Sequence, residues 1–224
     1  MINPLFFLPS SAHFAPPGPC GYNKAQTNVK GVYKMKKKIT LHAMVLVGVM
    51  AAFVFAASYL QFKIPTPLGE TRLHLGNVLC LLAGFLLGPW KGGMAAGLGS
   101  MFFDLFDPKY ITSAPSTFIN KFLMAMVCAL VMRLFQRLKK DSLGHQVGFA
   151  VVAATAGQFT YIVLYLLKTF IEERFIMQYE LGTVMVDVTT KLATSSANAV
   201  LAIVASVILF PILQKALAPV LQSR

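Results

Sequence analysis

Residues 72–105 read RLHLGNVLCLLAGFLLGPWKGGMAAGLGSMFFDL, and the fold turns on this stretch. Two apolar runs, Leu75–Pro89 and Gly92–Phe106, are joined through Gly88, Pro89, Trp90, Lys91 and Gly92. Each run has about 15 residues, so at about 1.5 Å per residue it barely crosses a hydrocarbon core of about 30 Å. Both runs are dense in small residues at helical spacing: Gly84, Gly88 and Gly92; Gly93 and Gly97; Ala95 and Gly99. Helices already in lipid gain no hydrophobic energy by associating, and small residues let their backbones pack closely instead. The stretch therefore reads as a tight hairpin of two short membrane helices.

The composition around it agrees. The chain has 224 residues, of which 56% are hydrophobic and 12% charged, with a mean hydropathy of +0.66. Soluble domains carry about 25% charged residues, so this is an integral membrane protein without room for a separate soluble catalytic domain. The net charge of +12 needs no nucleic acid to explain it, because Lys and Arg cluster at the ends of apolar runs, as topology signals do. Cys20, Cys80 and Cys128 form no CxxC pattern and suggest neither a disulfide framework nor a zinc site. Residues 1–34 are rich in Pro, Gly and Asn and make a poor signal peptide. They read as a disordered tail or as residues ahead of a start at Met35, with 35–224 as a single membrane domain.

Six spans are expected, in an all-α arrangement: Ile39–Leu60, Leu75–Pro89, Gly92–Phe106, Thr117–Leu134, Val147–Leu167 and Thr183–Leu213. An even number places both termini on one side. Lys36, Lys37, Lys38, Lys91, the Arg133–Lys140 segment and Lys215 then share that side, which marks it as cytoplasmic. The acidic residues apart from Asp141 fall in or near the opposite segments, Gln61–His74, Asp107–Ser116 and Lys168–Gly182. These loops mix aromatic and polar residues and suit a lid over an outward-facing pocket.

Ionisable groups inside spans mark candidate sites, because each costs about 2.5–3.5 kcal/mol near the bilayer centre. Lys121 lies about one turn into span four beside Asn120. Asp187 and Lys191 lie four apart on one face of span six. The plain alternatives are a Lys121 that snorkels to the headgroups and a structural Asp187–Lys191 pair. Gln158, Tyr161 and Tyr165 share a face of span five, where an amide and two rings suit a small flat heterocycle. Tyr165 fits an interfacial aromatic belt equally well. Asn77 offers an interhelical hydrogen bond. Lys121 or Lys191 would suit a phenolate, phosphate or carboxylate, unless Asp187 neutralises one of them. Gly48, Ala52 and Ala56 repeat at four-residue spacing on span one, a smooth face for packing within the bundle or against a partner. No Walker phosphate loop, GxSxG or HExxH occurs. His74, Asp104 and Asp107 lack metal-ligand spacing.

The six-span layout, the hairpin LHLGNVLCLLAGFLLGPWKGGMAAGLGSMFFDLFDP, the TFINKFLM segment and KLATSSANAV together resemble the substrate-binding S component of an energy-coupling factor (ECF) transporter, in its riboflavin-transporter-like branch. The resemblance covers about residues 35–215. It implies a small multi-pass subunit of a bacterial plasma membrane, with no permanently bound cofactor, that binds a vitamin at its outer face. It implies as partners a transmembrane coupling subunit and two cytoplasmic ATPases that hydrolyse the ATP, with docking through an AxxxA-type face on span one, matched here by Ala52 and Ala56 and extended by Gly48. On this reading Asn120, Lys121, Gln158, Tyr161, Asp187 and Lys191 contact a ligand of the pyridoxine, hydroxymethylpyrimidine or riboflavin class. The competing reading is a stand-alone ion-coupled carrier using Asp187 and Lys191, although no inverted repeat is visible. A membrane enzyme using His74, Asp104 and Asp107 has no motif behind it.

Overall fold

A computed structural model describes residues 41–136 and 143–222. The tail 1–34, the Lys36–Lys38 cap and much of the Arg133–Lys140 segment, which the sequence reading singles out, lie outside the described residues. Six helices occupy the expected places: α1 Leu41–Ser58, α2 Gly76–Leu87, α3 Pro89–Leu105, α4 Ala114–Gln136, α5 Leu143–Ile171 and α6 Leu181–Gln222. Four segments built on α1, α4, α5 and α6 are long and apolar enough to cross a membrane. The 12 residues of α2 and 17 of α3 make them the short pair expected from the opening stretch.

The shortest helix sits at the centre. α2 packs against α1, α3, α4 and α6. Its Cys80, Leu81, Leu82 and Ala83 are successive and all fully buried. Four successive buried positions leave no solvent or lipid face, which explains why α2 is apolar all round. α1 is the opposite case: Met50, Ala51, Val54 and Ser58 turn inward while Val45, Val49 and Phe53 face outward. Such an apolar exterior belongs in hydrocarbon.

Small residues set the helix separations. A Cβ on Gly84 of α2 would lie 2.6 Å from the backbone oxygen of Ala125 on α4, and one on Gly157 of α5 would lie 2.8 Å from that of Met124. The α2–α3 turn needs two special residues. Gly88 takes φ +81°, a conformation costly for residues with a Cβ. Pro89, placed at the end of span two in the sequence reading, is instead the first residue of α3, where its missing N–H costs nothing.

One element departs from the all-α expectation. Gln61–His74, read as a loop, is an antiparallel hairpin of β1 Gln61–Thr66 and β2 Gly69–His74, with Gln61 opposite His74 and Thr66 opposite Gly69. Pro65 and Pro67 argue against a strand in a sequence reading. A two-stranded ribbon is all edge, so Pro65 is tolerated opposite Glu70. The last loop is also more ordered than expected: α5 continues to Ile171 and then into a π-helical turn, Glu172–Ile176.

Gly84→Leu is expected to lower the melting temperature and folded yield in detergent, since overpacking costs about 1–3 kcal/mol. Gly48→Ala is expected to leave both unchanged, because a Cβ there meets nothing within 4 Å. Circular dichroism melts of both variants check this.

Candidate functional site

A cavity of about 470 Å³ lies under the β-hairpin, where the C-terminal end of α3, the start of α4, the end of α5 and the first half of α6 converge. Its walls carry many polar side chains: Thr71 and Arg72 from β2, Ser100 and Asp104 from α3, Asn120 and Lys121 from α4, Tyr161 and Tyr165 from α5, and Lys191, Ser195 and Asn198 from α6, with Leu68, Phe103 and Met177 among the apolar ones. Its size falls in the range of small-molecule sites, about 300–1,000 Å³.

Of the six residues expected to contact ligand, Asn120, Lys121, Tyr161 and Lys191 line this cavity. Lys121 does not snorkel to the surface. It is 2% exposed, donates to the Asn77 side-chain oxygen on α2, and its Nζ lies 3.8 Å from the Tyr161 ring centroid. Asn77 thus makes the interhelical hydrogen bond its sequence position offered. Tyr161 and Tyr165 stack at 5.8 Å between centroids and 10° between planes. Tyr165 also lies 3.5 Å from the Thr71 hydroxyl, so it faces the hairpin rather than serving an interfacial belt.

The other two, Gln158 and Asp187, do not line the cavity. Gln158 lies one turn from Tyr161 and is 1% exposed, with neither end of its amide hydrogen-bonded among the described residues. Asp187 is fully buried and works as a tie. Its carboxylate lies 2.7 Å from Lys191 and accepts a 3.0 Å hydrogen bond from the Leu68 backbone N–H at the hairpin turn. Glu173, from the π-helical turn, lies 2.8 Å from the same ammonium. The pair legible on one helix is therefore a three-residue cluster joining α6, the end of α5 and the hairpin.

The hairpin is held at other points too. Arg72 lies 2.6 Å from Asp104, and its guanidinium sits 3.5 Å from the Tyr110 ring centroid. Lys63 lies 3.5 Å from Asp107. The two aspartates considered beside His74 are thus bound up with cations, and no group of three metal-ligating residues gathers among the described residues. Tyr110 donates to the Glu70 backbone and side chain, both at 3.3 Å. Burial pushes its phenol up, so it remains a donor. Burial opposes ionisation of Glu70, but the hydrogen bond from Lys109 and the charges of Lys63 and Lys109 prevail and hold its carboxyl below the ordinary value. His74 is half-buried, but its Nδ1 is enclosed without a partner. Burial, then the charges of Lys121 and Arg72, hold it well below the ordinary histidine value and keep it neutral.

Arg72, Tyr110 and Glu173 were missed from sequence because their roles depend on partners 32, 40 and 18 residues away.

These contacts lead to two expected outcomes. Asp187→Asn weakens the tie to Lys191 by about 1.5–3 kcal/mol, the range for a charged hydrogen bond, and amide hydrogen exchange across residues 61–74 is expected to accelerate. Unchanged exchange there would remove Asp187 from this role. For His74, the unfolded chain takes up a proton as pH falls through about 6.5 while the folded protein does not. Melting temperature in detergent should therefore fall between pH 7.5 and 5.5, and fall less in His74→Gln.

Comparison with known proteins agrees with this architecture. A solved structure described as the S component of a bacterial ECF transporter superposes with a TM-score of 0.51, covering 80% of this chain and 97% of that one. At 18% identity, that likeness is one of fold. No curated protein matches the sequence significantly. The family model of the ECF-type riboflavin transporter S component matches residues 38–217, most of the chain. This helical membrane protein, with its Gly-rich short-helix pair and its polar cavity beneath a β-hairpin, belongs to the ECF-type riboflavin transporter S-component family.

Proposed function

We propose that this chain is the substrate-binding subunit of an ECF-type vitamin transporter, and that it captures a small water-soluble vitamin or precursor beneath the hairpin. The observation that carries the reading is the cavity itself. It is a polar chamber of about 470 Å³ at one end of an otherwise lipid-compatible bundle, with a stacked tyrosine pair and a buried lysine in its wall. Rings and convergent polar groups are what a flat heterocycle of the pyridoxine, hydroxymethylpyrimidine or riboflavin class needs. Asn120, Lys121, Tyr161 and Lys191 are the proposed ligand contacts. Gln158, one turn from Tyr161 with its buried amide unpartnered among the described residues, and Asp187, 2.7 Å from Lys191, complete the proposed site. The hairpin is the proposed lid, on the outer side of a bacterial plasma membrane, with both termini inside.

Nothing in the chain hydrolyses ATP on this reading. A transmembrane coupling subunit and two cytoplasmic ATPases supply the energy, and the loaded subunit moves against the coupling subunit to release its cargo. Gly48, Ala52 and Ala56 are the proposed docking face. They lie exposed along α1, and a Cβ on Gly48 would touch nothing, so this stripe is not consumed by packing within the bundle. Small residues on a lipid-facing helix favour close approach of another helix.

The test is native mass spectrometry of the protein purified alone in mild detergent, followed by uptake assays with the partner subunits. A stoichiometric vitamin-sized ligand is expected. Ala52→Trp and Ala56→Trp are expected to retain that ligand yet lose uptake and co-purification of the coupling subunit. Uptake that follows an ion gradient without ATPases would overturn the reading.

A further inference from the structure

The charges around the cavity are unevenly matched. Arg72, Lys109, Lys168 and Lys191 line it, and each has a carboxylate close by: Asp104 at 2.6 Å, Glu70 at 3.2 Å, Glu172 at 2.5 Å and Asp187 at 2.7 Å respectively. Glu173 adds a second carboxylate to Lys191. The carboxylates that line the cavity, Glu70, Asp104, Glu172 and Glu173, are thereby all paired.

Lys121 is different. It is 2% exposed, and it meets the Asn77 oxygen and the face of Tyr161. Among the described residues no carboxylate lies within 4.0 Å of it. An ammonium carries three N–H donors, and an amide oxygen and a ring face neutralise none of its charge. A buried charge without a counter-charge is expensive, and charge-assisted hydrogen bonds are the strong ones. A second donor waits in the same wall: Nη1 of Arg72 is buried with no hydrogen-bond acceptor. Further round, Nδ1 of His74 and Oδ1 of Asn198 are also buried and unpartnered. His74, kept neutral, adds no positive charge and offers a neutral hydrogen-bonding atom.

We propose that the cavity is built for an anion: a flat ring bearing a carboxylate, a phosphate or an ionised phenol, whose negative group is the missing counter-charge of Lys121. Nη1 of Arg72, which has no hydrogen-bond acceptor and lies 4.0 Å from Asp107, is the second donor to that group. Asn198 and His74 are left to meet the polar edge of the ring, and Tyr161 and Tyr165 its face. The inference rests on the reading of this cavity as the substrate site. It also separates the two lysines that looked equivalent on the helices, since the charge of Lys191 is already balanced by Asp187 and Glu173.

The test uses matched pairs that differ in one acidic group: nicotinate and nicotinamide, 4-pyridoxate and pyridoxine, hydroxymethylpyrimidine phosphate and hydroxymethylpyrimidine, riboflavin 5′-phosphate and riboflavin. Binding to the purified full chain is read by thermal shift and native mass spectrometry, which also identifies any co-purified compound. The bound member is expected to be the anion, favoured by about tenfold to hundredfold, the size of a charged hydrogen bond. Lys121→Met is expected to abolish that preference and Lys121→Arg to keep it. The wild-type comparison stands even where a variant fails to fold. A neutral ligand bound as tightly, a retained phospholipid in place of a ring compound, or a Lys121→Met protein that keeps the preference overturns the anion assignment and leaves the binding-subunit reading intact. A folded protein that carries and binds no compound at all overturns both.

Discussion

Close approach of helix backbones is the constraint on which the rest of this molecule depends. Inside a bilayer the helices cannot be driven together by leaving water, so association rests on van der Waals contact and a few polar bonds. Gly84 against Ala125 and Gly157 against Met124 bring backbones to distances that a side chain would forbid. That packing seats the short α2 at the centre, enclosed by α1, α3, α4 and α6. α2 has only 12 residues and none of them lines the cavity, which reaches His74, two residues before the helix begins. The small residues thus set the core against which the site is built.

The polar end of the bundle is organised by the opposite physics. Burying charge is costly unless it is paired, and each pairing there ties one element to another. Arg72 and Asp104 join the hairpin to α3, Lys63 and Asp107 join it to the loop after α3, and Asp187 joins its turn to α6. The β-ribbon has no core of its own and is too small to be stable alone. Its position is therefore defined by these bonds, and an element held by a few polar contacts is well suited to open and close. The pairing stops at Lys121, which lines the chamber with no carboxylate within 4.0 Å among the described residues.

Much of this was legible in the chain before folding, because the relevant information is periodic. The helices appeared where apolar runs and small-residue spacings placed them, within a few residues at most ends. Asn120, Lys121, Tyr161 and Lys191 were visible as polar groups on apolar helices, which is a local anomaly. The hairpin was not, since Pro65 and Pro67 mask its alternation. The roles of Gln158 and Asp187 were not either. Helical spacing says which residues share a face, but the neighbour that face meets is a separate question. Gln158 shares the face of Tyr161 and still does not line the cavity. Asp187 shares a face with Lys191 and turns to a backbone N–H 119 residues away in the chain.

By itself the sequence determined that the chain lives in a membrane, that its second and third helices are short, and which helices carry polar groups into hydrocarbon. These are properties of composition and period, and they need no knowledge of distant partners. The tertiary structure alone decided which charges cancel. Lys121 and Lys191 look alike as intramembrane lysines, yet one meets an amide and a ring and the other meets two carboxylates. Electrostatic interaction falls with distance through space and takes no account of separation along the chain, so only the folded arrangement could tell the two apart.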